Sequence, residues 1–133
     1  MCIRDRSSLD CVAFDQTFTH LLSGGSSGSV CVWNIAPSTR KGYELKGHGG
    51  AVRSVAISPD GDTIASGSKD CSVKLWRKSI NAKAKGSKIH QGSVQSVTFD
   101  SSGELLLSAS NDKTIKLCKV SGGTIGSLSL IHI

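Results

Sequence analysis

Short stretches of alternating apolar and polar residues follow one another along the chain, with turn-forming residues between them. The stretch Val52–Ile57 (VRSVAI) alternates and is rich in β-branched side chains, and Pro59, Asp60 and Gly61 follow it as turn residues. Further along, Val73 and Leu75 fall on one face of a strand, because successive side chains of a strand point to opposite faces. No stretch has the period of an amphipathic helix. The pattern therefore predicts an all-β fold with strands at 52–57, 63–68 and 72–76, and outer strands at 43–46 and 85–89.

The same pattern occurs three times. Residues 9–34, 52–77 and 94–119 align almost without gaps, and Trp33 and Trp76 are 43 residues apart while Cys118 follows Trp76 by 42. A period of about 40–45 residues with four strands per unit is typical of the blades of a β-propeller.

The middle unit contains the residues of a known repeat type. Gly47-His48 precedes its first strand, Ser66 and Asp70 lie inside it, and Trp76 ends its third strand. This unit resembles a WD repeat. The resemblance implies that His48, Ser66, Asp70 and Trp76 form a hydrogen-bonded tetrad within the blade, in which each buried polar group finds a partner. The role of His48 is then structural rather than catalytic.

The other two units depart from this pattern. The third has Cys118 where the tryptophan is expected, and cysteine packs as a small hydrophobe. The first has Ser27 in place of the aspartate and no histidine upstream. We expect both units to be looser than the middle one. Their remaining tetrad residues are His90, Ser108 and Asp112 in the third unit and Ser23 and Trp33 in the first.

Three repeats are too few to close a ring, because propellers use about four to eight blades. The sequence therefore predicts an open arc of two complete blades with a partial blade at each end. Its terminal blades should expose apolar faces, so we expect the isolated chain to be poorly soluble or to self-associate.

The resemblance also implies a partner-binding face, formed by the loops before the first strands and between the second and third strands. Arg53 and Lys69 are the strongest candidates, because they would place two cations near the rim of the central pore. The alternative is that these are solvated turn residues. The other positions on this face are Ala51, Gln95, Asn111, Ser93, Asp10 and Ser26.

A second candidate surface is the basic linker at residues 77–88. It has five positive charges and no acidic residue, so acidic protein tails or phosphates are conceivable partners. No aromatic residue interrupts it, which argues against nucleic-acid binding by base stacking. A solvated connection between blades is the simpler interpretation.

Composition narrows the remaining function classes. The chain has 133 residues and a formal net charge of +6, which favours acidic partners. No apolar run approaches the roughly 18 residues of a membrane span. No nucleophile elbow, phosphate-binding loop or zinc-protease motif is present, so no enzyme activity, small-molecule substrate or cofactor is expected. The five cysteines form no CxxC pair, so we predict free thiols, a cytoplasmic location and no metal site.

Both ends of the chain look foreign to the repeats. DNA that encodes residues 128–133 can have a reverse complement that encodes residues 1–5, as a translated sequencing adapter would. We expect residues 1–6 and 128–133 to be adapter-derived, which mapping the reads to genomic DNA would test. The repeats then occupy residues 7–127, at about 7–36, 43–78 and 85–120.

Linker lengths and turn residues are similar to those of the centriolar WD-repeat proteins, which stabilise centrioles and basal bodies. That resemblance implies a scaffold with centriolar or cytoskeletal partners at the centrosome. The alternatives are a general WD-repeat adaptor, such as a ubiquitin-ligase substrate receptor or an RNA-processing subunit, and the regulatory propeller of a larger enzyme.

Overall fold

The computed structural model describes residues 9–14, 20–34, 42–46, 48–59, 61, 63–77, 85–87, 90–121 and 124–132. Every regular element in these ranges is a β-strand, so the predicted all-β class is confirmed. The strands form three four-stranded antiparallel sheets, each a meander in chain order. Sheet one comprises β1 (Leu9–Phe14), β2 (His20–Gly25), β3 (Ser29–Asn34) and β4 (Gly42–Lys46). Sheet two comprises β5 (Val52–Ile57), β6 (Thr63–Ser68), β7 (Val73–Arg77) and β8 (Lys85–Ser87). Sheet three comprises β9 (Val94–Phe99), β10 (Leu105–Ser110), β11 (Thr114–Ser121) and β12 (Thr124–His132).

The strand predictions agree closely with these bounds. β5 and β6 have the predicted limits, whereas β7 begins one residue later, at Val73. β4 begins one residue earlier than predicted, and β8 covers the first part of the predicted outer strand, whose residues 88 and 89 lie outside the described ranges.

The expectation of two complete blades with partial blades at the ends is wrong. Each of the three sheets has four strands, because β12 supplies the outer strand of sheet three and pairs with β11 along most of its length. Residues 128–132, which the sequence predicts to be adapter-derived, lie in β12. The adapter interpretation concerns how these residues are encoded, and it stays a prediction.

The sheets pack face to face through two apolar junctions. Junction one joins sheets one and two, and Trp76 is buried there together with Leu22 and Val55. Junction two joins sheets two and three, and Leu75 is buried there together with Leu106. Since sheet two contributes a face to each junction, its strands β6 and β7 bury side chains on both sides.

A glycine sets the close approach at each junction. A Cβ atom on Gly24 would lie 2.6 Å from Cγ1 of Val52, and one on Gly67 would lie 2.6 Å from Cγ1 of Val94. These separations are shorter than real Cβ contacts, so any side chain at either glycine would push the neighbouring sheet away.

Candidate functional site

A hydrogen-bonded chain of four side chains crosses the middle repeat. Trp76 Nε1 donates to Ser66 Oγ at 3.0 Å, and Ser66 Oγ lies 2.7 Å from His48 Nε2. His48 Nδ1 lies 3.2 Å from Asp70 Oδ2. The His48 side chain is fully buried, and this burial lowers its pKa against the attraction of Asp70, so the ring is neutral. A neutral ring facing a carboxylate holds its proton on Nδ1, and Ser66 must then donate to Nε2.

Asp70 organises the turn between β6 and β7. Its Oδ2 accepts the backbone N–H of Gly49 at 2.8 Å, and its Oδ1 accepts the backbone N–H of Ser72 at 2.9 Å and the Ser72 hydroxyl. Partial burial alone would raise the pKa of Asp70. The hydrogen bonds from Ser72 and Gly49, together with His48, outweigh that effect and lower the pKa to about 2. The carboxylate therefore stays ionised and ties together two loops that are distant in sequence.

Sheet three repeats the arrangement without the indole. His90 Nε2 lies 2.8 Å from Ser108 Oγ, and His90 Nδ1 lies 3.0 Å from Asp112 Oδ2 and 3.1 Å from Thr114 Oγ1. Asp112 Oδ1 accepts the Thr114 backbone N–H at 2.9 Å. Cys118 stands in the tryptophan position and is fully buried.

Replacing the indole by a thiol changes the partners of the serine. Ser108 receives no indole proton, and its hydroxyl lies 3.5 Å from the carbonyl oxygen of Lys116. Burial raises the pKa of the Cys118 thiol to about 11, so it stays protonated and packs as an apolar group.

Sheet one keeps only part of the network. Trp33 Nε1 donates to Ser23 Oγ at the long distance of 3.4 Å. Ser27, which replaces the aspartate, accepts the backbone N–H of Ser29 at 3.4 Å. This turn therefore lacks the carboxylate that links two loops in the other sheets.

The three candidate binding residues Asp10, Arg53 and Gln95 share one structural feature. Each is the unpaired residue of a register shift near the start of its sheet's first strand. Such bulges re-aim side chains away from the regular alternation of a strand. Asp10 and Gln95 are exposed, and Arg53 is half-buried.

Two backbone hydrogen bonds join the candidate loops of the partner-binding face. Lys69 N donates to Ala51 O at 2.8 Å, and Asn111 N donates to Ser93 O at 2.9 Å. The structure thus brings the start of each first strand next to the turn after the second strand in sheets two and three. Lys69 and Asn111 are exposed there, as is Ser26 in the corresponding turn of sheet one.

Sequence reasoning missed the second hydroxyl of each network. Ser72 Oγ lies 3.1 Å from His48 Nδ1, as Thr114 Oγ1 does from His90. It also missed Ser68, whose hydroxyl donates to Ala51 O at 2.9 Å and accepts the Asp70 N–H at 3.2 Å. The sequence did contain a signal for these residues. In the aligned repeats that have the aspartate, a serine precedes it by two positions and a hydroxyl residue follows it by two positions.

The cysteines only partly follow the sequence prediction. Cys11, Cys71 and Cys118 are free, but Cys31 is disulfide-bonded, so the expectation of five free thiols is wrong. The partner of Cys31 lies outside the described residues.

Among the described residues, no group of three or more His, Cys, Asp or Glu side chains is placed to hold a metal ion. Nor do the described ranges contain a helix with the length and apolar character to cross a membrane. Most of the basic linker, residues 78–84 and 88, lies outside the described ranges.

Known proteins resemble this chain over one or more of its repeats. It is 45% identical over 56 residues to the small ribosomal subunit protein RACK1y of Oryza sativa subsp. japonica, which covers 42% of this chain and 16% of that protein. It is 40% identical over 68 residues to the anaphase-promoting complex subunit cdc20 of Dictyostelium discoideum, which covers 50% of this chain and 13% of that protein. The chain thus spans less than a fifth of either relative.

The fold also matches a solved structure. The U3-55K structure superimposes with a TM-score of 0.82 at 20% identity, covering 94% of this chain and 40% of that chain. At this identity the likeness concerns the fold alone. The family model "WD domain, G-beta repeat" matches residues 4–34, 39–77 and 85–119. Since these segments make up most of the sequence, the chain belongs to the WD-repeat family.

Proposed function

We propose that this chain is part of a non-catalytic protein–protein interaction scaffold, and that partners bind the face carrying the three bulge residues. The observation that carries this proposal is the coupling between the buried networks and that face. Asp70 holds the turn that follows β6, and the same turn presents Lys69 next to Ala51. A surface that is fixed before binding loses less conformational entropy when a partner docks.

The middle repeat supplies the positive charge of the proposed surface. Lys69 is exposed, and Arg53 emerges from the bulge beside it. Among the described residues, Arg53 Nε is buried without a hydrogen-bond partner. A buried donor of this kind costs free energy until an acceptor reaches it. Asp10 gives sheet one the opposite charge, so we place the contact for an acidic partner segment on sheet two.

A charge-reversal experiment tests the binding face. We expect an acidic decapeptide of glutamate residues to bind the chain in a fluorescence anisotropy titration, with an affinity that falls as salt is added. Lys69→Glu should weaken this binding by about tenfold, because a rim charge contributes roughly 1 kcal/mol and its reversal adds repulsion.

Lys119→Glu is the matched control. Lys119 is exposed and lies near the opposite end of sheet three from the turn at Asn111, so the same change in net charge should alter binding by less than about twofold. Equal losses for both variants would show that the peptide senses only net charge, and the proposed face would be wrong.

The cellular role is a separate part of the proposal. The centriolar role, with a cytoplasmic or centrosomal location, stays a prediction from linker lengths and turn residues, and none of the relatives named above is described as a centriolar protein. The similarity to an anaphase-promoting complex subunit supports the general adaptor alternative. A regulatory propeller within a larger enzyme is the third alternative.

Microscopy separates these roles. Centrosomal staining of the full-length protein would support the centriolar interpretation, and a diffuse or nucleolar signal would contradict it. The disulfide at Cys31 makes the redox state of this cysteine in the cell a separate question. Alkylation of the protein from its own cells, followed by mass spectrometry, would show whether Cys31 is oxidised there.

A further inference from the structure

The side chain of Arg53 contains a buried donor that has no acceptor within the fold. Its Nε is the only buried side-chain nitrogen or oxygen in the described ranges that lacks a hydrogen-bond partner. The side chain is half-buried and emerges from the bulge between Val52 and Ser54. Buried donors in native structures are nearly always paired, so this exception requires an explanation.

The nearest backbone acceptor of the bulge is already occupied. Ala51 O accepts the Lys69 N–H at 2.8 Å and the Ser68 hydroxyl at 2.9 Å. A carbonyl oxygen has two lone pairs, so these two donors fill its capacity. Arg53 could bind this oxygen only if one of the existing bonds broke.

The carboxylate of the adjacent turn is also saturated. Asp70 Oδ1 accepts both the N–H and the hydroxyl of Ser72. Asp70 Oδ2 accepts the Gly49 N–H at 2.8 Å and faces His48 Nδ1 at 3.2 Å. Each oxygen therefore has two donors, and the negative charge next to Lys69 is not available to Arg53.

Sheet three shows how the same position is paired within a repeat. Gln95 is aligned with Arg53, and Ser93 is aligned with Ala51. Gln95 Nε2 donates to Ser93 Oγ at 3.4 Å. Alanine offers no side-chain acceptor, so the donor of Arg53 lacks the partner that its counterpart has.

The position of this donor does not depend on where the sequence begins or ends. The strand β5 packs against β1 on one side and against β9 on the other. Both neighbouring sheets are therefore present around Arg53, and a further repeat before sheet one or after sheet three would not adjoin β5. The missing acceptor is one that a bound molecule can supply.

We propose that Arg53 binds one carboxylate of the partner segment side-on, with Nε and the terminal nitrogen on the same edge donating to its two oxygens. This inference rests on the proposed function and names the group that gives the site its selectivity. A guanidinium presents its donors in a fixed planar fork that matches a carboxylate, whereas an ammonium group acts as a point charge. Because Nε is buried, the entering group must be slim, and a planar carboxylate is slimmer than a tetrahedral phosphate.

The two cations of the site then have different roles. Lys69 is exposed and attracts an acidic segment over a distance that salt shortens. Arg53 orients one acidic side chain of that segment. In the free protein, its unpaired Nε lowers stability, so binding and stability make opposite demands on this residue.

Arg53→Lys tests the side-on contact, because it keeps the positive charge and removes Nε. In the anisotropy titration with the glutamate decapeptide, we expect binding to weaken by about tenfold. Lys119→Arg is the matched control, since it preserves charge at an exposed residue outside the proposed face, and it should change the affinity by less than about twofold. Equal affinities of the Arg53→Lys chain and the unaltered chain would overturn the proposal, because charge alone would then be sufficient.

The outcome at Arg53 can be separated from the test of the binding face. If Lys69→Glu weakens binding more than Lys119→Glu does, and Arg53→Lys has no effect, the face stands and the carboxylate contact is wrong. If the two glutamate variants lose binding equally, the face is wrong and the contact at Arg53 is overturned with it.

Arg53→Met supplies a measurement that a purely structural role of Arg53 would move in the opposite direction. Methionine is similarly unbranched but has no donor, so removing the unpaired Nε should raise the midpoint of thermal unfolding by about 3 °C. The same variant should bind the glutamate decapeptide roughly thirtyfold more weakly. A lower midpoint would show that Arg53 is paired within the fold in solution, which contradicts the proposal.

A phosphorylated peptide distinguishes a carboxylate from a phosphate. A decapeptide of alternating phosphoserine and serine has a total charge similar to that of the glutamate decapeptide. Since its phosphates should remain at the rim near Lys69, we expect Arg53→Lys to weaken its binding by less than about threefold. A larger loss than with the glutamate decapeptide would assign the donor to a phosphate and refute the choice of a carboxylate.

Discussion

The indole of Trp76 and the thiol of Cys118 occupy equivalent positions in sheets two and three. Replacing each residue by the other tests whether the packing of each junction depends on the size of its own residue. Trp76 is 3% exposed and donates to Ser66 at 3.0 Å. Truncating a buried tryptophan to alanine costs about 3–5 kcal/mol. Cysteine retains one heavy atom beyond Cβ, so we expect Trp76→Cys to lower the free energy of unfolding by about 3 kcal/mol.

The reverse change, Cys118→Trp, should also destabilise the chain. It restores a donor for Ser108, which is worth about 1 kcal/mol. However, Cys118 is fully buried against a junction that includes Leu75 and Leu106, and inserting an indole there requires the sheets to separate. Overpacking of a buried site costs about 1–3 kcal/mol, often more for so large a side chain. We therefore expect Cys118→Trp to lower the free energy of unfolding by about 1–2 kcal/mol, although tryptophan is the residue that the family pattern has at this position.

Urea denaturation followed by circular dichroism measures both effects. The unaltered chain is the background, and each transition is measured at two protein concentrations so that any contribution of self-association is detected. Trp76→Phe is the control that keeps an aromatic ring and removes the N–H, and it should cost about 1–2 kcal/mol, less than Trp76→Cys. A Cys118→Trp chain that is more stable than its parent would refute the reasoning, because it would mean that junction two has room for an indole.

Three further predictions concern the turns. Because the pKa values of His48 and Asp70 are both lowered in the fold, the unfolded chain binds more protons, and stability should fall as the pH drops below 6.5 and again from 3.8 to about 2. Protonation of Asp70 should lower the free energy of unfolding by about 2 kcal/mol before solvent screening and by about 1 kcal/mol after it. Asp70→Asn should remove this loss from an acid titration of the unfolding midpoint. Gly28→Ala should cost about 1–2 kcal/mol in thermal denaturation, because Gly28 has a φ of 80° and a Cβ there would lie 2.9 Å from the His48 carbonyl oxygen. Lys113→Gly, at the equivalent position with a φ of 66°, should raise stability by about 0.5 kcal/mol, and a loss at Lys113 as large as that at Gly28 would contradict the strain argument.

The strands were predictable because their period is local. β5 and β6 have the limits read from alternation and turn residues, because both signals lie within a few residues of the strand ends. The third strand differs for a physical reason. Ser72 was assigned to the strand, but its N–H and hydroxyl both bind Asp70 Oδ1, which holds it in the turn. The completeness of sheet three was missed because more than half of its outer strand, residues 128–132, was attributed to an adapter.

The candidate site was predictable only where residues recur at fixed spacing. Four residues stand out in the alignment and lie within hydrogen-bond distance in one chain of contacts: His48, Ser66, Asp70 and Trp76. Ser72 did not stand out, because a serine near an aspartate fits any turn. The disulfide at Cys31 and the buried Nε of Arg53 depend on neighbours distant in sequence, for which a single sequence holds no signal.

The repeats agree in the residues of the buried networks and differ in the residues of the proposed binding face. The network around Asp70 recurs around Asp112 with nearly the same distances, and each network fixes the turn beside its own bulge. The bulge residues, in contrast, are an aspartate, an arginine and a glutamine. Because the bulge residues contribute little to the buried networks, their charge can change without loss of stability. If partners bind the proposed face, its specificity resides in these differences between repeats. Exchanging Arg53 with Asp10 should then move the site for an acidic partner from sheet two to sheet one.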